Sequence, residues 1–174
     1  MLRNLLLLPC AFFSLASFSQ SVGKLYLDAA VIKLQHAKAY TLAVAEAMPE
    51  SKYGFKPTAE EMSFGEQLLH LAAILDWHTS TYILNEANPY KAPAEGKFKK
   101  EVVIATVTQA YDYALNTLNH FDISHLTDTV QFLFGPLSKL QIMNLMNDHQ
   151  THHRGQMLVY LRLNGIKPPA YVGW

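Results

Sequence analysis

The sequence contains almost no cysteine. Cys10 is the only one among 174 residues, and a disulfide framework requires cysteines in pairs. Cys10 also falls within an N-terminal stretch that has the features of a cleaved secretory signal. We therefore expect a mature protein without any thiol, which excludes both a disulfide framework and a catalytic cysteine.

Charge is sparse and balanced. The chain has 14 Lys and Arg residues against 14 Asp and Glu residues, and the basic residues do not form a run. Proteins that bind nucleic acid usually concentrate basic side chains against the phosphate backbone, so we expect no nucleic-acid partner. Half of the residues are apolar, which is enough for one good core at a one-domain length.

Residues 1–19 have the features of a secretory signal peptide. Arg3 lies in a short positive start, residues 5–13 form an apolar run, and Ser-Phe-Ser before residue 20 resembles a cleavage site. An uncleaved amphipathic helix is the alternative, but the polar face that it needs is missing. The run is shorter than the roughly 20 apolar residues of a membrane span. We expect no membrane span, cleavage near Ser19, export to the periplasm or the exterior, and a mature domain of residues 20–174.

Four long segments have the apolar spacing of amphipathic helices. They cover residues 22–48, 64–86, 101–120 and 138–163. Ser63 and Ser138 begin Ser-x-x-Glu and Ser-x-x-Gln sequences, which are typical of capping boxes at helix starts. Asn164 and Gly165 are typical of a helix end. No convincing strand pattern accompanies these segments, so the sequence predicts an all-α four-helix bundle, a fold that commonly holds metal between facing helices.

The fourth predicted helix contains the stretch Asp-His-Gln-Thr-His-His-Arg-Gly-Gln at residues 148–156. His149 and His153 project from one helical face about 6 Å apart along the axis, so both can reach one metal ion. They interrupt an apolar stripe, and a buried imidazole needs a partner. Two interpretations remain open: a metal site, or two core histidines bonded to carbonyls or carboxylates. His152 lies at the edge of this face and Arg154 points largely away, which indicates outer or surface positions.

The second predicted helix offers two candidates for a third ligand, His70 and His78, and periodicity does not choose between them. Glu66, one turn before His70, is a candidate base or an acceptor for a ligand's N–H, although the capping box already gives it a structural role. Asp148 is a second candidate base. Its direction, about 100° from His149 on the helical wheel, favours an outer role for it.

Three motifs follow one another along the chain: Ser-Phe-Gly-Glu-Gln-Leu-Leu-His ending at His70, His-x-x-x-His-Arg-Gly-Gln at residues 149–156, and Tyr-Leu-Arg-Leu-Asn-Gly-Ile-Lys-Pro-Pro at residues 160–169. Together they resemble the DinB-like (YfiT-type) family of four-helix-bundle metalloproteins. The resemblance covers essentially everything after the signal. It implies that His70, His149 and His153 bind one divalent metal ion, and their imidazoles suit zinc, nickel or iron.

The resemblance does not supply a reaction. Three histidine ligands leave a coordination position open, as in catalytic sites, so our leading hypothesis is hydrolysis of an unknown small molecule by a metal-activated water. A thiol-dependent S-transferase of the same fold is the alternative, which export disfavours because low-molecular-weight thiol cofactors are cytoplasmic. A third hypothesis is a non-catalytic metal-binding or interaction protein, in which a homodimer forms through an apolar helix face and His78 or His152 closes the site.

Overall fold

The computed structural model describes residues 8–93 and 99–173 of the chain. Within these residues it contains four α-helices: α1 (Leu8–Ala47), α2 (Phe64–Trp77), α3 (Lys100–Asn119) and α4 (Lys139–Leu163). A π-helical turn, His78–Leu84, continues α2, and short 3₁₀ turns follow α1 and α3. The prediction of an all-α bundle is therefore confirmed.

The four helices form a ring of neighbours around one core. α1 packs against α3 and α4, and α2 packs against the same two helices. As a result α4 lies between α1 and α2, and its buried arc faces both of them. The buried apolar side chains of α4 are Ile142, Met143, Met146, Met157, Tyr160 and Leu161. On one side of these apolar side chains α4 has a flank toward α2, and on the other side it has a flank toward α1.

Both predicted capping boxes are present, and they set the starts of α2 and α4. The Glu66 amide donates to Ser63 Oγ at 3.3 Å, and the Ser63 amide donates to a Glu66 carboxylate oxygen at 2.6 Å. Ser138 and Gln141 make the same reciprocal pair, at 3.3 and 2.8 Å. At the other end of α4, Gly165 takes a φ of +73°, a left-handed conformation that favours glycine.

A small antiparallel hairpin joins α3 to α4, although the sequence shows no convincing strand pattern there. Strand β1 (Thr129–Phe132) pairs with β2 (Gly135–Ser138), so that Phe132 lies opposite Gly135. Gly135 has a φ of +121°, which L side chains rarely adopt. β-branched and aromatic residues in β1 favour a pleated strand. Each strand has only four residues, too few for a clear alternating pattern.

The described part of α1 begins at Leu8 and continues through the predicted cleavage point near Ser19. Residues 1–7 of the predicted signal peptide lie outside the described residues. Cleavage, export and the domain start at residue 20 therefore stay predictions. Among the described helices, none combines the length and apolarity that crossing a bilayer requires.

Candidate metal centre

Three histidines from two helices meet between α2 and α4. His70 comes from α2, and His149 and His153 come from successive turns of α4. Their candidate ligand atoms all lie within 4.8 Å of one another. The Nε2 atom of His149 is 3.2 Å from Nε2 of His70 and 3.1 Å from Nε2 of His153. The structure thus brings together the three histidines named from the sequence, and this cluster can hold a metal ion.

The spacing of the nitrogens suits a single ion. With metal–nitrogen distances of about 2.0–2.1 Å, two ligands lie about 3.3 Å apart in a tetrahedral site and about 2.9 Å apart in an octahedral one. The observed separations, 3.1 and 3.2 Å, fall between these two values. The two separations from His149 therefore fit a metal without selecting its coordination number, and the ligand atoms of the third pair, His70 and His153, lie within 4.8 Å of each other.

Hydrogen bonding between the rings explains the cluster less well. His149 Nε2 is close to two other Nε2 atoms, and a neutral imidazole carries one N–H, which aligns well with one acceptor. If one hydrogen bond accounts for one of these two contacts of His149 Nε2, the two nitrogens of the other contact lie close together without a well-placed proton between them. Nitrogen atoms held this close without a proton between each pair are the arrangement that a metal ion completes.

A buried glutamine orients His153. Because the Gln67 amide oxygen can only accept, His153 Nδ1 donates to it, at 2.5 Å. A neutral His153 ring then presents the lone pair of Nε2 to the cluster. Gln67 Nε2 in turn donates to Gln156 Oε1 at 2.7 Å and to the Tyr160 hydroxyl at 3.3 Å, and Tyr160 donates to the Met62 carbonyl. Such outer contacts commonly set the tautomer and direction of a ligating histidine.

Gln67 has no role that could be assigned from the sequence alone. The available signal was its position three residues before His70, on a helix whose buried face is otherwise apolar. A buried polar side chain needs partners, so a glutamine at this position indicates a polar group on the facing helix. The partner itself becomes visible only when α2 and α4 are packed together.

Burial keeps the cluster neutral at pH 7. It lowers the pKa of His149 to about 3, an effect that the neighbouring rings of His153 and His70 increase. Burial, and then His70, lower the pKa of His153 to about 4. The pKa of His70 is lowered by burial as well. Metal ions bind the neutral form of imidazole, so the uncharged state of these rings is the one that binding requires.

His78 lies beside the cluster without joining it. Its ring is 3% exposed and packs against Tyr82 and Phe132, with its centroid 6.3 Å from that of His149. Burial lowers the pKa of His78 to about 4. His152 is exposed, and Gln156 Nε2 donates to its Nε2 atom at 2.8 Å. Neither of the two predicted closing ligands is therefore part of the cluster that the described residues form.

The two candidate bases have different surroundings. Glu66 accepts the capping bond from Ser63 and lies 3.5 Å from Lys56 Nζ, and the bond from the Ser63 amide lowers its pKa. The structure thus shows the capping role of Glu66, and its catalytic role stays a prediction. Asp148 is exposed, with its side chain at the wall of a surface cavity.

This cavity has a volume of about 390 Å³ and a mixed lining. Its walls are Phe132, Phe134, Leu137, Gln141, Asn144, Leu145 and Asp148. Leu145 precedes His149 by one turn of α4, and Phe132 contacts the His78 ring that packs beside His149. The cavity therefore reaches residues that neighbour the histidine cluster, although none of the three histidines lines it.

Comparisons with known proteins converge on one family. A model of the DinB family matches residues 25–173. An uncharacterized protein of Bacillus subtilis (strain 168), YjoA, is 23% identical over 130 residues, which is 72% of this chain and 82% of YjoA. The crystal structure of YjoA superposes with a TM-score of 0.68 at 18% identity, and it covers 82% of this chain and 95% of its own. A DinB-like protein from Bacillus cereus ATCC 10987 gives 0.64 at 17%, with 79% and 92% covered. At these identities the likeness is one of fold.

Proposed function

The chain belongs to the DinB family, and we propose that within this fold it binds one divalent metal ion, zinc, nickel or iron, through His70, His149 and His153. The observation that carries the proposal is the convergence of three Nε2 atoms, with separations of 3.1 and 3.2 Å from His149. The bond from His153 Nδ1 to Gln67 supports it, since it directs the Nε2 lone pair of that ring into the cluster.

We propose further that the site hydrolyses a small molecule. When bound, a divalent ion supplies a Lewis acid and lowers the pKa of a coordinated water toward about 7. The described cluster provides three protein ligands, which leaves room for substrate and water. The neighbouring cavity supports this role, because Phe132 and Leu145 offer apolar walls for the non-reacting part of a substrate.

Two carboxylates are candidates to accept a proton. Asp148 is the better placed of the two, because its side chain lines the cavity beside the cluster. Glu66 already accepts a bond at the start of α2 and pairs with Lys56. Asp148→Asn is expected to lower turnover with little effect on metal content. Glu66→Ala is expected to act mainly through the lost cap, a matter of about 1 kcal/mol of stability.

The first experiment is metal analysis of the purified protein beside His70→Ala, His149→Ala and His153→Ala. His152→Ala is the matched control, since His152 is an exposed histidine on the same helix outside the cluster. We expect near-stoichiometric zinc, nickel or iron in the wild type and the control, and its loss in each of the three variants. A metal-free protein that is equally stable with and without added metal would overturn the proposal.

The reaction is tested separately from the metal. The metal-loaded protein is incubated with small esters and amides, with and without a low-molecular-weight thiol. Turnover without thiol is the expected result. Turnover that requires the thiol would favour S-transfer over hydrolysis as the reaction. A metal-loaded protein without turnover in either series would favour a non-catalytic metal-binding role.

We also propose that the chain is exported after cleavage near Ser19, on the strength of its apolar start and the small residues before residue 20. N-terminal sequencing of the protein recovered from its native host tests this proposal. A mature chain beginning near Gln20 is expected, and an intact Met1 start on the active protein would contradict it.

A further inference from the structure

Arg154 is buried on the flank of α4 that faces α1, although the sequence predicted an outer or surface position for it. Its side chain is only 8% exposed. Nη1 donates to Thr41 Oγ1 and Nη2 to Thr151 Oγ1, both at 3.4 Å. The guanidinium carbon lies 5.1 Å from the ring centre of Tyr40. The expectation was wrong because α4 packs against α1 as well as α2.

These contacts compensate the guanidinium charge poorly. No Asp or Glu of the described residues forms an ion pair with Arg154. Both hydrogen bonds are longer than the usual range of about 2.7–3.2 Å, and both acceptors are neutral hydroxyls. Arginine carries five N–H donors, of which these bonds use two, and the Tyr111 hydroxyl is a further neutral partner beside the guanidinium. A buried charge without an opposite charge is costly, so this position favours an added anion.

A cavity of about 170 Å³ has Arg154 among its lining residues. The described residues that line it are Lys33, Ala37, Asn147, Thr151, Arg154, Tyr171, Val172 and Gly173. Lys33 is engaged in an interaction of its own, so Arg154 is the basic side chain that concerns the cavity. Three of the lining residues, Asn147, Thr151 and Arg154, are spaced by four and three residues along α4, so they share one face of that helix. The cavity is thus a polar recess between α1, α4 and the segment after α4, with Arg154 in its lining.

We propose that this cavity binds one small oxoanion, a phosphate or a carboxylate, with Arg154 as its principal ligand. The planar guanidinium presents paired N–H groups whose spacing matches two oxygens of such an anion. Asn147 is 9% exposed and gives one amide hydrogen to the Met143 carbonyl, which leaves the second for the ligand. The volume is below the about 300–1,000 Å³ of cavities for drug-sized ligands, so the occupant is an ion or a short acid.

The site is independent of the proposed metal centre. On α4, Arg154 and Asn147 lie on one side of the apolar stripe, while His149 and His153 lie on the other. The two groups also contact different helices: Arg154 donates to Thr41 of α1, and His149 approaches His70 of α2. An anion at Arg154 and a metal at the histidines therefore bind without sharing a residue.

The test is calorimetric titration of the full chain with inorganic phosphate, acetate and a phosphate monoester, at constant ionic strength with chloride as the balancing anion. We expect one saturable site in the wild type. Arg154→Gln is expected to weaken binding by about 10- to 100-fold, as for the loss of a charge-assisted hydrogen bond, and Arg154→Lys to weaken it less. Arg162→Gln is the matched control, because Arg162 is exposed on the same helix, and it should bind as the wild type does.

A second control separates this site from the histidines, because anions also bind to metal ions. The titration is repeated in His149→Ala, where the Arg154-dependent binding should persist. If Arg154→Gln does not fold, Asn147→Leu is used instead, with a smaller expected loss of affinity. Equal binding by the wild type and Arg154→Gln, no saturable binding at all, or binding that disappears in His149→Ala would each overturn the proposal. Preference for phosphate, acetate or the monoester identifies the source of the anion.

Discussion

The two flanks of α4 satisfy their buried polar groups in different ways. Toward α2, His153 donates to Gln67, whose amide donates to Gln156 and Tyr160. Toward α1, Arg154 has two bonds of 3.4 Å to neutral hydroxyls. On the first flank the protein's own groups complete one another and leave nitrogen lone pairs facing inward. On the second, donors remain in excess, which is where a ligand of opposite charge gains most.

The two flanks illustrate two different requirements, one for binding a metal ion and one for binding an anion. A metal ion binds lone pairs, so its ligands must be held neutral and aimed by outer hydrogen bonds, and the α2 flank does this with low histidine pKa values and Gln67. An anion binds donors, so its site needs a positive charge held away from other acids. Arg154 meets that condition among the described residues.

The largest expected effect is at Gln67. Gln67→Met removes the acceptor for His153 Nδ1, so the ring loses the bond that sets its tautomer. We expect metal affinity to fall by about 10- to 100-fold, the usual consequence of removing such an outer contact. Competition with a chelator of known affinity measures the change.

Arg154→Gln is the control for the other flank and should leave metal affinity unchanged. Equal losses of metal affinity in Gln67→Met and Arg154→Gln would contradict the proposed difference between the two flanks. They would mean that metal binding responds to the general packing of α4 rather than to the orientation of His153.

The second prediction concerns pH. Burial lowers the pKa of His78 from 6.5 to about 4 in the folded protein, so between these values the unfolded chain binds more protons. Stability is therefore present above about pH 6.5 and is lost as the pH falls toward 4, with a slope of up to about 1.4 kcal/mol per pH unit for this group. Urea unfolding of the metal-free protein at pH 7, 6 and 5 measures it.

His78→Phe keeps an aromatic ring in the same pocket and removes the titrating group, so its stability should fall less steeply with acid than that of the wild type. His120→Phe is the control, since His120 is exposed. The lowered pKa values of His149 and His153 act in the same direction in both proteins. A wild type and His78→Phe with the same pH slope would show that His78 does not stay neutral on folding.

The parts of this fold that could be predicted are those set by local sequence. Ser63 and Ser138 mark helix starts because a cap involves residues three positions apart. His149 and His153 could be paired because they lie on one helix. The hairpin was missed because strands as short as Thr129–Phe132 carry no readable period.

The rest of the site depends on which helices pack together. Periodicity did not distinguish His70 from His78 as the third ligand, and only the family resemblance favoured His70. In the structure His70 belongs to the cluster, whereas His78 lies beside it. Gln67 was missed because its partners are on α4. Arg154 was misplaced because its direction was measured from His149 alone, whereas the buried arc of α4 extends toward a second neighbour.

The smallest expected effect is at Gln150, which lies between the two flanks in the middle of the buried arc. It is 1% exposed, and neither Oε1 nor Nε2 has a hydrogen-bond partner. A buried amide left in this state costs about 1–3 kcal/mol, and methionine has a similar length without the polar atoms. We therefore expect Gln150→Met to raise the free energy of unfolding by about 1 kcal/mol, as measured by urea denaturation.

The same substitution at Gln67 provides the matched comparison, because that glutamine is also about 1% exposed but uses both ends of its amide. Gln67→Met should lower the free energy of unfolding, since it leaves His153 Nδ1 and the Gln156 carbonyl without their partner. If the free energy of unfolding rises in Gln150→Met and falls in Gln67→Met, hydrogen bonding rather than burial determines whether a polar side chain stabilises this core. A loss of stability in both variants would mean that Gln150 is hydrogen-bonded in solution, and the difference between the flanks would then rest on Arg154 alone.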